Sequence, residues 1–268
     1  MLRTVHAHLE MTSDAGAELI FSVAVARNAG YDAVDETMSI TADGEPVEAR
    51  EVVDEHGTVL HLLEPASDVH LVVDYNAEVS GLADCPAPDA REEIHYRRPS
   101  RYVQSDELLA TAGAQFRGIE GQELLDTITS WVSSHLAYVP GWSRPTDGAV
   151  HTLLSREGVC RDFAHLTIAL LRARDVPARL VSVYAPGLSP MDFHAVVEAW
   201  VEGEWRLVDS TGLAPRSSLV RIATGRDAAD TAFLTTYSGI VELKSMVVGA
   251  VVDGSLPHDD WQSPLQLR

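Results

Sequence analysis

Residues 192–212 read DFHAVVEAWVEGEWRLVDSTG. Two apolar, β-branched and aromatic runs flank Glu202-Gly203, the pattern of two antiparallel strands joined by a tight turn. The pairing can be worked out on paper. With Val201 opposite Glu204, Trp200 faces Trp205 and Val196 faces Asp209. Side chains alternate along a strand, so His194 and Val196 share a face. Asp209 then lies one diagonal step from His194, roughly 7–8 Å between backbones, a gap that two polar side chains can close. A one-residue bulge would part them. Alone, His194 reads equally as a core histidine and Asp209 as a strand-end turn residue.

Upstream, GVCRDFAHLTIALLRARDVP (residues 158–177) predicts a helix that starts at Cys160. Phe163, Leu166, Leu170 and Leu171 form an apolar stripe, Ala164 and Ile168 widen it, and Val176-Pro177 ends it. A thiol in the first helical turn meets unpaired backbone N–H groups and the positive end of the helix dipole. Both stabilise a thiolate, and the same N–H groups can hold the oxyanion of a tetrahedral intermediate. A cysteine at that place can also be a small buried apolar residue. Thiol chemistry needs a histidine to receive the proton and a third polar group to orient it. His165 lies five residues on, roughly 140° around the helix, and is expected to be structural. His194 and Asp209 supply the better pair.

Working outward, residues 1–80 show no helical period. The runs at 17–26, 36–65 and 69–80 are β-rich, with turns at Asp43-Gly44 and His56-Gly57, and predict a small antiparallel sandwich. Residues 81–105 read as a proline-containing linker. Ser105 reads as an N-cap with Asp106 and Glu107 in the first turn. A second helix is expected over about 120–137, where Leu124, Leu125, Ile128, Trp131, Val132 and Leu136 recur at helical spacing. A short helix over AVHTLLSREG ends near Gly158. Strands follow over ARLVSVY (178–184) and the hairpin, and another over IVELKSMVVGAVV (240–252). The expected division is a β-rich unit at 1–80, a linker at 81–105 and a catalytic unit at 106–268.

The chain has 268 residues, 40 Asp+Glu against 20 Lys+Arg and a formal net charge of -20. A chain of this length buries roughly 75% of its unfolded surface and folds without disulfides or metals. The acidic balance argues against nucleic acid or an anionic membrane as partner. No EF-hand-type calcium loop is present, and Cys160 with scattered histidines lacks metal-ligand spacing. The first residues carry no continuous apolar core of a signal peptide, and no stretch reaches the ~18 apolar residues of a membrane span. Cys85 and Cys160, the two cysteines, are therefore expected as reduced thiols in a cytoplasm. No cofactor or metal is expected.

GVCRDFAHL followed by DFHAVVEAWVEGEWRLVDSTG resembles the transglutaminase-like superfamily, in its bacterial form of candidate cysteine proteases with an N-terminal β domain. The segments RRPSRYVQSDEL and GRDAADTAF also look like theirs, so the resemblance covers most of the chain. It implies an α+β fold, a papain-like transglutaminase core in which the helix-start cysteine packs on an antiparallel sheet, preceded by a β-sandwich. It implies Cys160 as nucleophile, His194 as general base and acid, and Asp209 as the orienting carboxylate. Two positions depart from the common pattern: Ser210 stands where many members have proline, and Val196 where many have an aromatic residue. Trp142 lies upstream, as an indole donor does in eukaryotic transglutaminases; its other reading is a loop aromatic or cleft wall. The implied substrate is a peptide or amide, attacked through a thioester. Water as acceptor makes a peptidase or amidase, the first expectation; an amine makes a transferase. A non-catalytic binding module on the same fold is the alternative class.

Overall fold

The computed structural model describes residues 1–27, 30–85, 89–261 and 263–268. Period-two alternation in LRTVHAHLEMTS builds β1 (Leu2–Ser13), with Val5, Ala7, Leu9 and Met11 buried. There follow β2 (Glu18–Phe21), β3 (Ala33–Ala42), β4 (Glu45–Pro46), β5 (Arg50–Val53), β6 (Val59–Leu63) and β7 (Val69–Ser80). Both expected turns are present: Asp43 and Gly44 have φ of 51° and 86°, and Gly57 has φ of 80°. A Cβ at Gly57 would lie 1.8 Å from the Arg27 carbonyl oxygen, so no other residue fits there.

The helical layer consists of α1 (Ala90–His95), α2 (Leu109–Gln115) and α3 (Gly121–His135). After it come β8 (Ala137–Tyr138), α4 (Ala149–Ser155), β9 (Glu157–Gly158) and α5 (Cys160–Arg172). The chain ends in β10 (Ala178–Tyr184), β11 (His194–Val201), β12 (Glu204–Val208), β13 (Val220–Gly225), α6 (Ala228–Thr231), β14 (Leu234–Tyr237) and β15 (Val241–Val252). The central sheet runs β12-β11-β10-β13, all antiparallel. On one face Val197, Ala199, Val201 and Val208 pack with α3 and α5; on the other Val181, Val196 and Leu207 pack with Leu219 and Leu267. This α+β arrangement is the one the resemblance implies.

The sandwich consists of a sheet in the order β15-β1-β7-β3-β4 facing one in the order β14-β2-β6-β5. Two of its strands, β14 and β15, come from the far end of the chain: β15 pairs antiparallel with β1 from Arg3↔Val252 to Ser13↔Val241. The expected division at 106–268 therefore does not follow the strand pairing. Residues 234–252 complete both N-terminal sheets: β15 takes up the unpaired backbone groups on the free edge of β1, and β14 those of β2. The sandwich core also takes in Tyr184, Val220, Ile222 and Ala223 of the central sheet.

The segment expected as a linker is structured as well. Asp89 caps α1 by accepting from the Arg91 N–H at 2.8 Å, and Tyr96 and Val103 are buried. Pro86 and Pro88 of that stretch lie outside the described residues. Ser105 does not cap α2. Its carbonyl closes a turn with the Leu108 N–H at 3.2 Å, and the helix starts at Leu109.

A buried ion cluster holds the central sheet to its surroundings. Glu198 of β11 accepts from Arg179 of β10 at 2.8 Å and from Arg221 of β13 at 2.6 and 3.0 Å. Arg179 also reaches Glu92 of α1 at 3.0 Å and lies 4.0 Å over the Trp205 ring. Burial raises the Glu198 carboxyl, but the two guanidinium groups outweigh it and hold the group at about 2. Its folded pKa is depressed, so its contribution is complete above the usual carboxylate range, near 4.5, and is lost as pH falls toward about 2. Replacing Glu198 by Ala leaves Arg221 buried without a carboxylate and Arg179 with Glu92 alone, and is expected to cost about 3–5 kcal/mol in urea denaturation at pH 7. The gap between wild type and variant should narrow as pH is lowered through that window.

Candidate active site

The start of α5 is set by one carboxylate. Asp162 accepts from the Val159 N–H at 2.9 Å, while the Val159 carbonyl takes the N–H groups of Asp162 and Phe163 at 2.9 and 3.1 Å. A Cβ at Gly158 would lie 2.6 Å from Cβ of Asp162, which is why glycine stands two residues before the cysteine. The cap occupies its own N–H and leaves that of Cys160, the first helical residue, aimed out of the helix start. The thiol is free and partly exposed. Cys85 is also free and exposed.

The hairpin has the register worked out from sequence: Val201 pairs with Glu204, Trp200 with Trp205 and Val197 with Val208, with no bulge. Glu202 and Gly203 have φ of 55° and 82°, the left-handed turn that matches strand twist. His194 and Asp209 consequently meet, with Nε2 2.8 Å from Oδ2. Both are buried, at 1% and 8% exposure. The second oxygen of Asp209 accepts from the Thr211 N–H at 2.8 Å and from its hydroxyl at 2.6 Å. With Nε2 committed to Asp209, the buried Nδ1 of His194 has no hydrogen-bond partner among the described residues. Cys160 interacts with the ring through its side chain. Nδ1 is thus the nitrogen left for the thiol.

Burial alone would disfavour the imidazolium. The Asp209 carboxylate outweighs it, with Cys160 adding to the effect, and the His194 pKa is raised well above the ordinary histidine value. Burial likewise raises Asp209, but His194 and the Thr211 donors win and lower it. The arrangement favours a protonated ring beside Cys160.

Ser210, one of the two departures, has a structural use. Its hydroxyl lies 2.8 Å from that of Thr167 in α5, which donates to the Phe163 carbonyl at 2.8 Å. Adjacent residues at the end of β12 therefore turn opposite ways, Asp209 to the histidine and Ser210 to the cysteine's helix. Val196 is core. His165 is buried and structural, accepting from the Ala228 N–H at 3.1 Å and stacking on Tyr102. Burial pushes its pKa down to about 4. Trp142 closes a turn with Val139 on the rim and is 54% exposed. Arg161 ties that rim to the helix start by bonding the Ser143 hydroxyl and the Arg144 carbonyl.

Two residues of the site were not singled out from sequence. Thr211 carries a local signal, since Asp-x-Thr favours an Asx-type turn. Tyr138 carries none: its place depends on pairing between residues 137–138 and 157–158. Asp209→Asn is expected to remove the charge that supports the imidazolium. Burial then dominates, and the His194 pKa falls below about 6.5. An NMR titration of the ring nitrogens in wild type and variant checks this. An unchanged midpoint would contradict the electrostatic account.

The transglutaminase-like superfamily model matches residues 92–210, a span that contains Cys160, His194 and Asp209. Over its whole length the chain is similar to a candidate cysteine protease of known structure from Cytophaga hutchinsonii. The TM-score is 0.89 at 32% identity, covering 100% of this chain and 98% of that one. An uncharacterised Mycobacterium leprae protein is 29% identical over 156 residues, 53% of this chain and 54% of its own. An uncharacterised Mycobacterium tuberculosis protein is 32% identical over 123 residues, 40% of this chain and 39% of its own. The chain thus spans about half or less of these curated relatives. The matched span and the full-length likeness together establish that the chain belongs to the transglutaminase-like superfamily.

Proposed function

We propose that this protein is a thiol-dependent acyl-transfer enzyme that acts on amide bonds as a cysteine peptidase or amidase, with Cys160, His194 and Asp209 as its triad. The observation that carries the reading is the state of His194. One ring nitrogen is held by Asp209 at 2.8 Å, and the other is buried, unpaired and left to the thiol. His165, five residues beyond the cysteine, also keeps one buried nitrogen unpaired, but its other nitrogen accepts from a backbone N–H and burial lowers its pKa; only His194 has a carboxylate on one side of the ring and Cys160 on the other. Hydrolysis as the outcome is supported by the likeness to the Cytophaga hutchinsonii candidate cysteine protease.

In this mechanism the Cys160 sulfur, its proton passed to His194 Nδ1, attacks the carbonyl carbon of a peptide or amide. The carbonyl π electrons move to oxygen, where the Cys160 N–H at the helix start receives the charge. Collapse expels the amine, which takes the proton from His194, and leaves a thioester on Cys160. Water, deprotonated by the same imidazole, attacks the thioester, and the thiol is regenerated. Asp209 keeps the ring oriented and its cation stabilised throughout, without taking the proton itself.

The test uses the full chain and a library of peptide amides. Cleavage is expected from wild type and loss of at least about 10³-fold from Cys160→Ala, since removal of a nucleophile leaves only binding and oxyanion stabilisation. Product that appears only with an added primary amine would reassign the reaction as transfer. Iodoacetamide provides a check independent of substrate: Cys160 is expected to alkylate faster than Cys85 across pH 6–9. Equal rates for the two thiols would sink the activated-nucleophile reading.

A further inference from the structure

The sequence identifies no second donor to the oxyanion; Trp142 has the resemblance to an indole donor on one side and a loop or cleft-wall reading on the other, and Tyr138 lies four residues before it. β8 and β9 form a two-residue parallel pair in which Tyr138 stands opposite Gly158. Backbone bonds fix it on both sides, Ala137 N–H to the Arg156 carbonyl at 2.8 Å and Val139 N–H to the Gly158 carbonyl at 2.9 Å. The ring leans on Phe163, one turn into α5, with centroids 5.9 Å apart. This aims the phenol across the helix start. There the hydroxyl interacts with Cys160 twice, with its backbone N–H and with its side chain.

Those two contacts mark a particular place. The Cys160 N–H is the donor left open by the cap, and the sulfur is the attacking atom. A hydroxyl that meets both is within reach of the carbonyl oxygen of a substrate attacked by that sulfur. The Tyr138 proton is not easily lost there, because burial and the neighbouring Cys160 both raise its pKa above the ordinary tyrosine value. The ring is 40% exposed, so a substrate can displace the hydroxyl slightly without opening the core. The Trp142 indole is on the outer rim at 54% exposure, and its backbone serves the turn.

We propose that the Tyr138 hydroxyl is the second oxyanion donor of this site, a catalytic residue alongside the Cys160 N–H. The assignment rests on the acyl-transfer reading above. In the resting enzyme the hydroxyl donates toward the sulfur. When sulfur attacks, its negative charge passes to the carbonyl oxygen as the C–S bond forms and the π bond opens. The O–H follows the charge from sulfur to oxygen and returns when the tetrahedral intermediate collapses. No proton changes owner at Tyr138 in the cycle.

The experiment compares two reactions of the same thiol in the full chain. Acylation by p-nitrophenyl acetate, read as release of p-nitrophenolate, passes through an oxyanion. Alkylation by iodoacetamide is a displacement at a saturated carbon and forms none. Tyr138→Phe keeps the ring on Phe163 and is expected to slow acylation about 10²-fold, the usual effect of losing one oxyanion donor. Alkylation loses only the resting hydrogen bond to sulfur and is expected to change by no more than about fivefold, because no oxyanion has to be held. Tyr138→Trp, which restores an N–H donor on an aromatic ring, is expected to acylate faster than Tyr138→Phe and also guards against a folding defect. Trp142→Phe is expected to change neither rate. Acylation by Tyr138→Phe within threefold of wild type overturns the proposal, as does an equal fall in both rates, which would make Tyr138 a residue that positions or activates the thiol. The underlying reading fails separately, if Cys160→Ala acylates as fast as wild type.

Discussion

The hydrogen bond from the Val159 N–H to the Asp162 carboxylate fixes where α5 begins, and the rest of the site depends on that point. The carboxylate must fold back over the entering chain, which leaves no room for a side chain at Gly158. The sharp entry makes Cys160 the first helical residue, with an N–H that no group of the helix itself takes up. A start one residue later would place the thiol outside the helix, where the dipole field is weaker. A start one residue earlier would move it toward the apolar stripe. One short side chain thus couples backbone geometry to the electrostatics of a sulfur atom.

A second constraint joins the two halves of the site. The helix brings the thiol and the hairpin brings the imidazole and carboxylate, so their alignment depends on how the helix rests on the sheet. Packing of Val197, Ala199 and Val201 against α5 sets the distance but not the rotation. The Ser210–Thr167 hydroxyl pair, buried and directional, pins the end of β12 to the helix at one place. Proline, common at this position in the superfamily, stiffens the backbone but offers no such bond. Glu198 and its two arginines perform the same task between β10, β11 and β13, where an apolar cluster would tolerate sliding.

The site was legible in sequence to the extent that its geometry is local. Period-two alternation and the Glu202-Gly203 turn sufficed to place His194 against Asp209, because a hairpin's register is fixed by its own turn. The apolar stripe sufficed to place Cys160 at a helix start. The prolines of segment 81–105 suggest a linker, whereas Asp89 and the buried Tyr96 make α1 part of the fold. Ser105 has the residue type of a helix cap, but its carbonyl closes a turn and α2 starts at Leu109. Tyr138 and the partner of β15 were illegible for a different reason: both depend on pairing between segments whose separation along the chain no periodicity encodes.

The pairing of β15 with β1 has a consequence for synthesis. A ribosome delivers residues 2–13 first and residues 241–252 more than two hundred residues later. At synthesis rates of about 5–20 residues per second, the free edge of β1 waits for its partner for roughly 10–45 seconds. During that interval a twelve-residue strand with one apolar face and one unpaired edge is open to any extended chain nearby. The long separation of β1 from β15 thus leaves one edge of the outer sheet open until the end of synthesis, a place where a holdase would bind.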